Sequence, residues 1–272
     1  MRNFSTSPRA MAGSLWHNRS LIRVLIVREV AGRYRGSVLG IFWSFFNPVF
    51  MLAVYTFVFS VVFKARWGTG SESKAEFALI LFSGMLVFNL FAECAGRAPT
   101  LILGNVNYVK KVVFPLEILP WVSFGAALFH AFISFGVWLL FYLLMFGVPH
   151  PTVLLFPLIL LPLGLLLMGL SWFLASLGVF LRDVVQVIGI IITIFMFLTP
   201  IFYPASAIPE RYQAVLHCNP LTFIVEQTRG LLIFGKGLAW GPLFFLTGLA
   251  FLVAWLGFAW FQKTRKGFAD VL

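Results

Sequence analysis

The side chains able to do chemistry are few and unevenly placed. Arg28, Arg33 and Arg35 stand in the run Arg28-Glu29-Val30-Ala31-Gly32-Arg33-Tyr34-Arg35-Gly36-Ser37, just ahead of a stretch without ionisable groups from residue 38 to residue 63. Arginines at such a boundary reach headgroup phosphates while their stems stay in the interface. A second chemistry-bearing pattern is aromatic. Phe42, Phe46 and Phe50 recur every four residues, Trp43, Tyr55 and Phe59 add further rings, and Phe195, Phe197, Phe202 and Tyr203 follow late in the chain. For any single ring the plain reading is lipid contact or packing. As a set, the rings suit an uncharged channel for a sugar chain, whose C–H faces stack on aromatics while its hydroxyls exchange water-mediated contacts.

Other chemistries are disfavoured by what the pattern lacks. No Asp, Glu, Lys or Arg lies near the middle of an apolar run, where pumps and ion-coupled carriers hold ions or relay protons. His130 is the titratable exception, and beside Ser123, Ala127 and Ala131 it reads as a packed, hydrogen-bonded residue rather than a relay. His150, Glu210 and Glu226 are too scattered to form a catalytic acid–base site, so no catalytic residue and no metal set is assigned. Residues 230–237 fit G-x-x-x-x-G-K, but Gly237 replaces the Ser or Thr that binds magnesium and no strand-loop-helix surrounds the match. No nucleotide cofactor is expected in this chain; ATP and magnesium, if used, belong to a separate subunit.

These residues need a scaffold, and the composition says which kind. Of 272 residues 61% are apolar and only 11% charged, against roughly 25% charged in soluble domains. One all-α integral membrane domain over residues 1–272 is expected. The net charge of +11 reflects membrane sidedness rather than nucleic-acid binding. Uncharged runs at residues 38–63, 77–92, 118–149, 151–181, 184–209 and 237–262 predict six transmembrane helices. Residues 14–35, broken by Arg19, Arg23 and Arg28, predict a helix lying in the interface. Residues 212–225, with Pro220 inside, are too short to span and read as re-entrant.

An even number of spans puts both termini on one side, and fourteen of the 20 Lys and Arg residues then fall inside if the termini are cytoplasmic. Two long connections result, a cytoplasmic one around residues 93–117 and an external one at residues 204–236. Cys94 and Cys218 are expected on opposite sides, precluding a disulfide within one chain. The polar first twenty residues lack an apolar h-region, so no cleaved signal peptide is expected. Gly36-x-x-x-Gly40 and Gly237-x-x-x-Gly241 are assigned to helix packing. Asn47-Pro48 and Pro200 are expected to loosen or break their helices. No internal repeat supports a transporter of two homologous halves.

The chain resembles the membrane subunits of ABC-2 type exporters of lipid-linked polysaccharides, particularly Wzm-like O-antigen permeases. The likeness covers nearly the whole sequence and is most specific in residues 28–40, in Trp43-Ser44-Phe45-Phe46-Asn47-Pro48, and in Asn107-Tyr108-Val109-Lys110-Lys111-Val112-Val113-Phe114-Pro115, with Asn219-Pro220-Leu221 following. It implies an ABC-2 exporter fold in the bacterial inner membrane: a homodimer of six-helix chains paired with two copies of an ABC ATP-binding subunit. It implies a coupling segment at residues 97–111, carried by Arg97, Asn105, Asn107, Tyr108, Lys110 and Lys111, and external gate helices at residues 204–236. A lateral opening would be bordered by Phe42, Phe46, Phe50, Tyr55 and Phe59 on one side and by Phe202 and Tyr203 on the other. The pyrophosphate of an undecaprenyl-linked substrate would meet Arg28, Arg33 or Arg35. Capsule and teichoic-acid permeases are more loosely similar; export of a small lipid or drug, and a membrane enzyme acting on polyprenyl-linked glycans, are the alternative functions.

Overall fold

A computed structural model of the chain describes residues 5–58, 67, 74–110 and 114–272, and every regular element among them is helical. Two of the expected site residues, Phe59 and Lys111, lie outside the described residues. The interfacial segment is two helices rather than one, α1 (Pro8–His17) and α2 (Arg19–Tyr34). Ser7 starts α1 by accepting the Ala10 amide at 3.2 Å, with Pro8 in the first turn. Asn18 separates the helices, its side-chain amide donating back to the Ser14 carbonyl at 2.9 Å.

The chain then turns into α3 (Trp43–Tyr55) through Gly36 and Gly40, at φ +84° and +52°. This corrects the packing role expected of that glycine pair. A Cβ on either would meet nothing within 4 Å, so what these positions require is left-handed backbone. Gly237 and Gly241 likewise face open space.

Long helices follow: α4 (Lys74–Arg97), the short α5 (Val106–Lys110), α6 (Leu119–Phe146), α7 (Phe156–Phe180) and α8 (Val184–Leu198). The connection expected to be external holds α9 (Glu210–Cys218) and α10 (Pro220–Leu232), and the chain finishes with α11 (Trp240–Thr264) and α12 (Phe268–Val271). Five stretches are long and apolar enough to cross a membrane: Gly40–Val58, Lys74–Thr100, Leu116–Phe146, Pro151–Phe180 and Trp240–Val271. The run expected as the fifth span forms the shorter apolar helix α8. It stops because Thr199, preceding Pro200, takes an extended backbone at φ −81° and ψ 135°.

Helix α4 is the hub. In its most apolar window 83% of residues are buried, against 6% for the stretch holding α3, and α4 touches α3, α6, α7, α8 and α10. Helices α7 and α11 pack backbone to backbone, where a Cβ on Gly257 would fall 2.1 Å from the Gly169 carbonyl oxygen; glycine lets these backbones touch. The segments sort to two ends of the bundle. At one end Trp255 donates to Thr6 O at 2.9 Å, Arg265 reaches Glu117 at 2.5 Å and Phe114 O at 2.8 Å, and Met11, Ile102, Phe261 and Phe268 share a buried cluster. At the other, Thr152 donates to Leu231 O at 2.7 Å, joining the α6–α7 link to α10. The termini and the connection after α4 therefore share one end, the grouping that the Lys and Arg distribution predicts.

Candidate functional site

Helix α2 crosses α6 closely at Gly125, where a Cβ would come within 2.2 Å of the Ile26 side chain. That crossing lays the charged face of α2 against the end of α4 and the connection beyond it. Arg28 donates to the Tyr108 hydroxyl at 2.9 Å, and Tyr108 stacks on Phe114 at 4.2 Å between centroids. Glu29 pairs with Arg97, and Arg33 pairs with Glu93 at 2.7 Å. Two side-chain contacts thus join α2 to the segment expected to meet an ATPase, and the third joins it to α4 just ahead of that segment. Arg97 and Tyr108 face α2, Asn105 donates to Leu101 O at 2.9 Å, and Asn107 and Lys110 are exposed. Arg35 is also exposed.

Two recesses open on either side of this joint. The first is a groove of about 460 Å³ lined by Arg28, Glu29, Gly32, Arg33 and Arg97. Three guanidinium groups and one carboxylate line it, and with Glu93 bound to Arg33 the cluster still keeps an excess of positive charge, which favours an anion with several oxygens. The second is a cavity of about 520 Å³ between α2, α3, α4 and α6. Arg33, Glu93, His130 and Tyr34 stand at one end of it. Arg33 donates to His130 Nδ1 at 2.8 Å, Glu93 lies 3.1 Å from the same nitrogen, and the Tyr34 hydroxyl is 3.1 Å from Nε2. Nδ1 therefore either accepts from Arg33 or, when protonated, donates to Glu93; the ring can exchange partners without moving. The packed, hydrogen-bonded role expected of His130 holds, with charged partners the sequence did not reveal.

The wall of this cavity is written in helical periodicity. Trp43, Asn47, Met51 and Tyr55 recur every four residues on α3, while Phe82, Met85, Asn89 and Glu93 share one face of α4. From Trp43 to Tyr55 the cavity follows α3 for about 18 Å. The expected aromatic stripe lies on the neighbouring face. Phe42 and Phe50 are exposed, and Phe46 stacks on Phe50 at 6.1 Å, outside the cavity lining. Of the expected rings on α3, Trp43 and Tyr55 enter the lining, and Tyr55 meets Phe202 edge-to-face at 6.2 Å. Tyr203 turns away, donating to Phe197 O at 2.8 Å beside an apolar recess under α9, and burial raises its phenol above the ordinary range.

At the opposite end of the bundle a buried cation fixes the segment that holds α9 and α10. Arg229 on α10, 1% exposed, donates to Pro200 O, to Ile201 O at 2.6 Å, to Ile80 O at 3.4 Å and to Glu226 at 2.9 Å. Its guanidinium also lies 4.3 Å over the Trp67 ring. Burial pulls its pKa down to about 10, with Glu226 opposing that shift, so the charge persists at neutral pH. Gly84 makes the space: a Cβ there would stand 2.9 Å from Arg229 Nη2. The G-x-x-x-x-G-K match is the end of this helix, where the Lys236 amide donates to Gly230 O at 2.8 Å.

The sequence profile of the ABC-2 type transporter family matches residues 20–233, from α2 to the end of α10. The chain belongs to the ABC-2 type transporters. The match takes in both recesses, the joint and the Arg229 cluster. Among curated relatives, an O-antigen export system permease protein from Myxococcus xanthus is 27% identical over 258 residues, 94% of this chain and 96% of its own length. One from Klebsiella pneumoniae is 25% identical over 255 residues, 93% of this chain and 95% of its own. A polysialic acid transport protein from Escherichia coli is 23% identical over 215 residues, covering 76% and 79%.

In this ABC-2 chain several site residues had no distinct signal beforehand. Glu93 looked like the first residue of a loop, yet α4 carries it to Arg97. Asn89 and Ser134 sat unnoticed in apolar runs; an isolated amide in such a run is the signal that would have found the cavity. Arg229 looked like one more external charge.

Proposed function

We propose that this chain is the membrane-spanning subunit of an ATP-driven exporter that carries an O-antigen-type polysaccharide, linked to undecaprenyl pyrophosphate, across the bacterial inner membrane. The carrying observation is the end-to-end similarity to permeases named for O-antigen export. The geometry is in keeping with it. The arginine groove beside α2 has the charge and donor geometry for a diphosphate at the membrane surface, and the termini and coupling segment at one end of the bundle would face the cytoplasm.

Two copies of the chain would work with two ATP-binding subunits docked on the connection after α4. Its exposed Asn107 and Lys110 offer contacts to such a partner, while Arg97 and Tyr108 would pass its movement to α2. Energy enters from outside this chain, which supplies the path and performs no bond chemistry. The test is co-purification of the tagged chain from its native membrane, with identification of bound proteins and an ATPase assay. We expect a stoichiometric ATPase whose retention falls when residues 97–110 are altered, and loss of surface polysaccharide when the chain is deleted. A chain that purifies alone, with surface polysaccharide unchanged on deletion, overturns the reading.

A further inference from the structure

We propose that the cavity between α2, α3, α4 and α6 is a recognition site for a single sugar ring, distinct from the phosphate-seeking groove beside it. The proposal rests on the exporter reading for its substrate and names a specificity site within it. The first ground is unmet hydrogen bonding. Asn47 on α3 and Asn89 on α4 both line the cavity and are exposed to it, and among the described residues neither side-chain amide has a hydrogen-bond partner. Both lie within stretches apolar enough to span the membrane, where an unpaired amide is costly unless water or a ligand satisfies it. Between residues 77 and 91 of α4 every position but Asn89 is buried, so its amide faces the open space rather than the packed core.

The second ground is the combination of groups. A pyranose presents hydroxyl pairs around its rim and C–H bonds on its faces, so it is held by planar donors and acceptors together with an aromatic ring. At its Arg33 end this cavity presents the Glu93 carboxylate, the Arg33 guanidinium and the Trp43 ring, with the carboxamides of Asn47 and Asn89 one helical turn further along α3 and α4. Arg33 and Glu93 neutralise each other at 2.7 Å, which disfavours a purely anionic occupant and leaves hydrogen bonding as the means of selection. A volume of about 520 Å³ lies in the range of small-ligand sites, far below what a whole polysaccharide needs.

The third ground is position. Arg33 lines both the cavity and the arginine groove, so a sugar in the first would lie next to a phosphate in the second. The ring recognised is accordingly the one attached to the lipid-linked diphosphate.

The test uses the full chain in lipid nanodiscs with methyl glycosides of several neutral and acetamido hexoses, read by saturation-transfer NMR. We expect transfer to the ring C–H protons of at least one of these sugars. Asn89→Leu and Asn47→Leu should each weaken binding by about three- to tenfold, as the loss of one or two hydrogen bonds would. Asn89→Gln should retain part of it, and Trp240→Phe, on an exposed ring of α11, should leave it unchanged. Circular dichroism and gel filtration of each variant separate lost binding from lost folding. Absence of transfer for every sugar, or transfer indifferent to both asparagines in folded protein, overturns the proposal and leaves a water-filled cavity. Failure of the exporter reading would appear elsewhere, as unchanged surface polysaccharide on deletion of the chain.

Discussion

Arg229 shows how a charge is kept where little water reaches it. Three backbone carbonyls point at its guanidinium, two of them freed because α8 ends before Pro200. The side chain thus solves a problem created by the proline, and it does so by tying the turn after α8 to both α10 and α4. Replacing it with leucine takes the donor from the buried Pro200 and Ile201 carbonyls, at about 1–3 kcal/mol each, while Ile80 O keeps the Ser83 hydroxyl at 2.7 Å. We expect Arg229→Leu to lower the thermal unfolding midpoint of the detergent-purified chain by several degrees. Arg229→Lys should recover only part of the loss, because a compact ammonium cannot fork to separate carbonyls. Equal stability of the leucine variant and the parent would show the cluster to be incidental. The sequence could not reveal this arrangement: Arg229 and Gly84 are far apart in the chain, and only folding makes one the space for the other. His130 was readable as a packed histidine, but its partners Arg33 and Glu93 come from segments whose proximity no local pattern encodes.

At the scale of elements, α2 is more than a float on the interface. Its contacts with Tyr108, Arg97 and Glu93 make it move with the connection after α4, so a push on that connection would reach α3 through the turn at Gly36 and Gly40. The Glu29–Arg97 pair tests this. Both side chains are about one-third exposed, so the pair should contribute little to stability, and its removal should be visible in coupling instead. Glu29→Arg should reduce the polysaccharide exported per ATP hydrolysed by about two- to fivefold in the intact transporter, a range set by a surface-type pair. Adding Arg97→Glu should restore it. A double variant as poor as the single one would remove this contact from the transmission path. Hydropathy alone located α4, α6, α7 and α11, because each is a run of apolar residues bounded by charge or proline. It mistook one break. A single interfacial helix was expected where Asn18 divides two, since a side chain bonding back to its own turn leaves no mark on hydropathy. The aromatic stripe at Phe42, Phe46 and Phe50 was correctly seen as periodic, but periodicity cannot say which face of a helix meets the protein. The cavity took the face one residue on, beginning at Trp43.

At the scale of the molecule, the exposure of the helices is unequal in a way that bears on assembly. The stretch holding α3 has 6% of its most apolar window buried, and α8 exposes Val187, Ile190, Ile194 and Phe197 along one side. Exposed apolar surface is no anomaly in lipid, and by itself it calls for no protein partner. What distinguishes α3 is that it is both the least covered span and a wall of the cavity, with Tyr55 reaching Phe202 beyond the end of α8. If two copies enclose a path between them, as proposed, these two thinly covered helices are the ones placed to border it. Cysteines introduced at Phe50 and Ile194 would report on this in native membranes. The background should carry Cys218→Ser, since Cys218 is exposed, while the buried Cys94 can remain. We expect an oxidised dimer when both new cysteines are present and a marked loss of it when either is absent, with bridging weakened if the bound ATPase is removed. A chain that exports polysaccharide, labels fully at both positions and never bridges would place the contact between copies on other helices, and α3 would then face lipid alone.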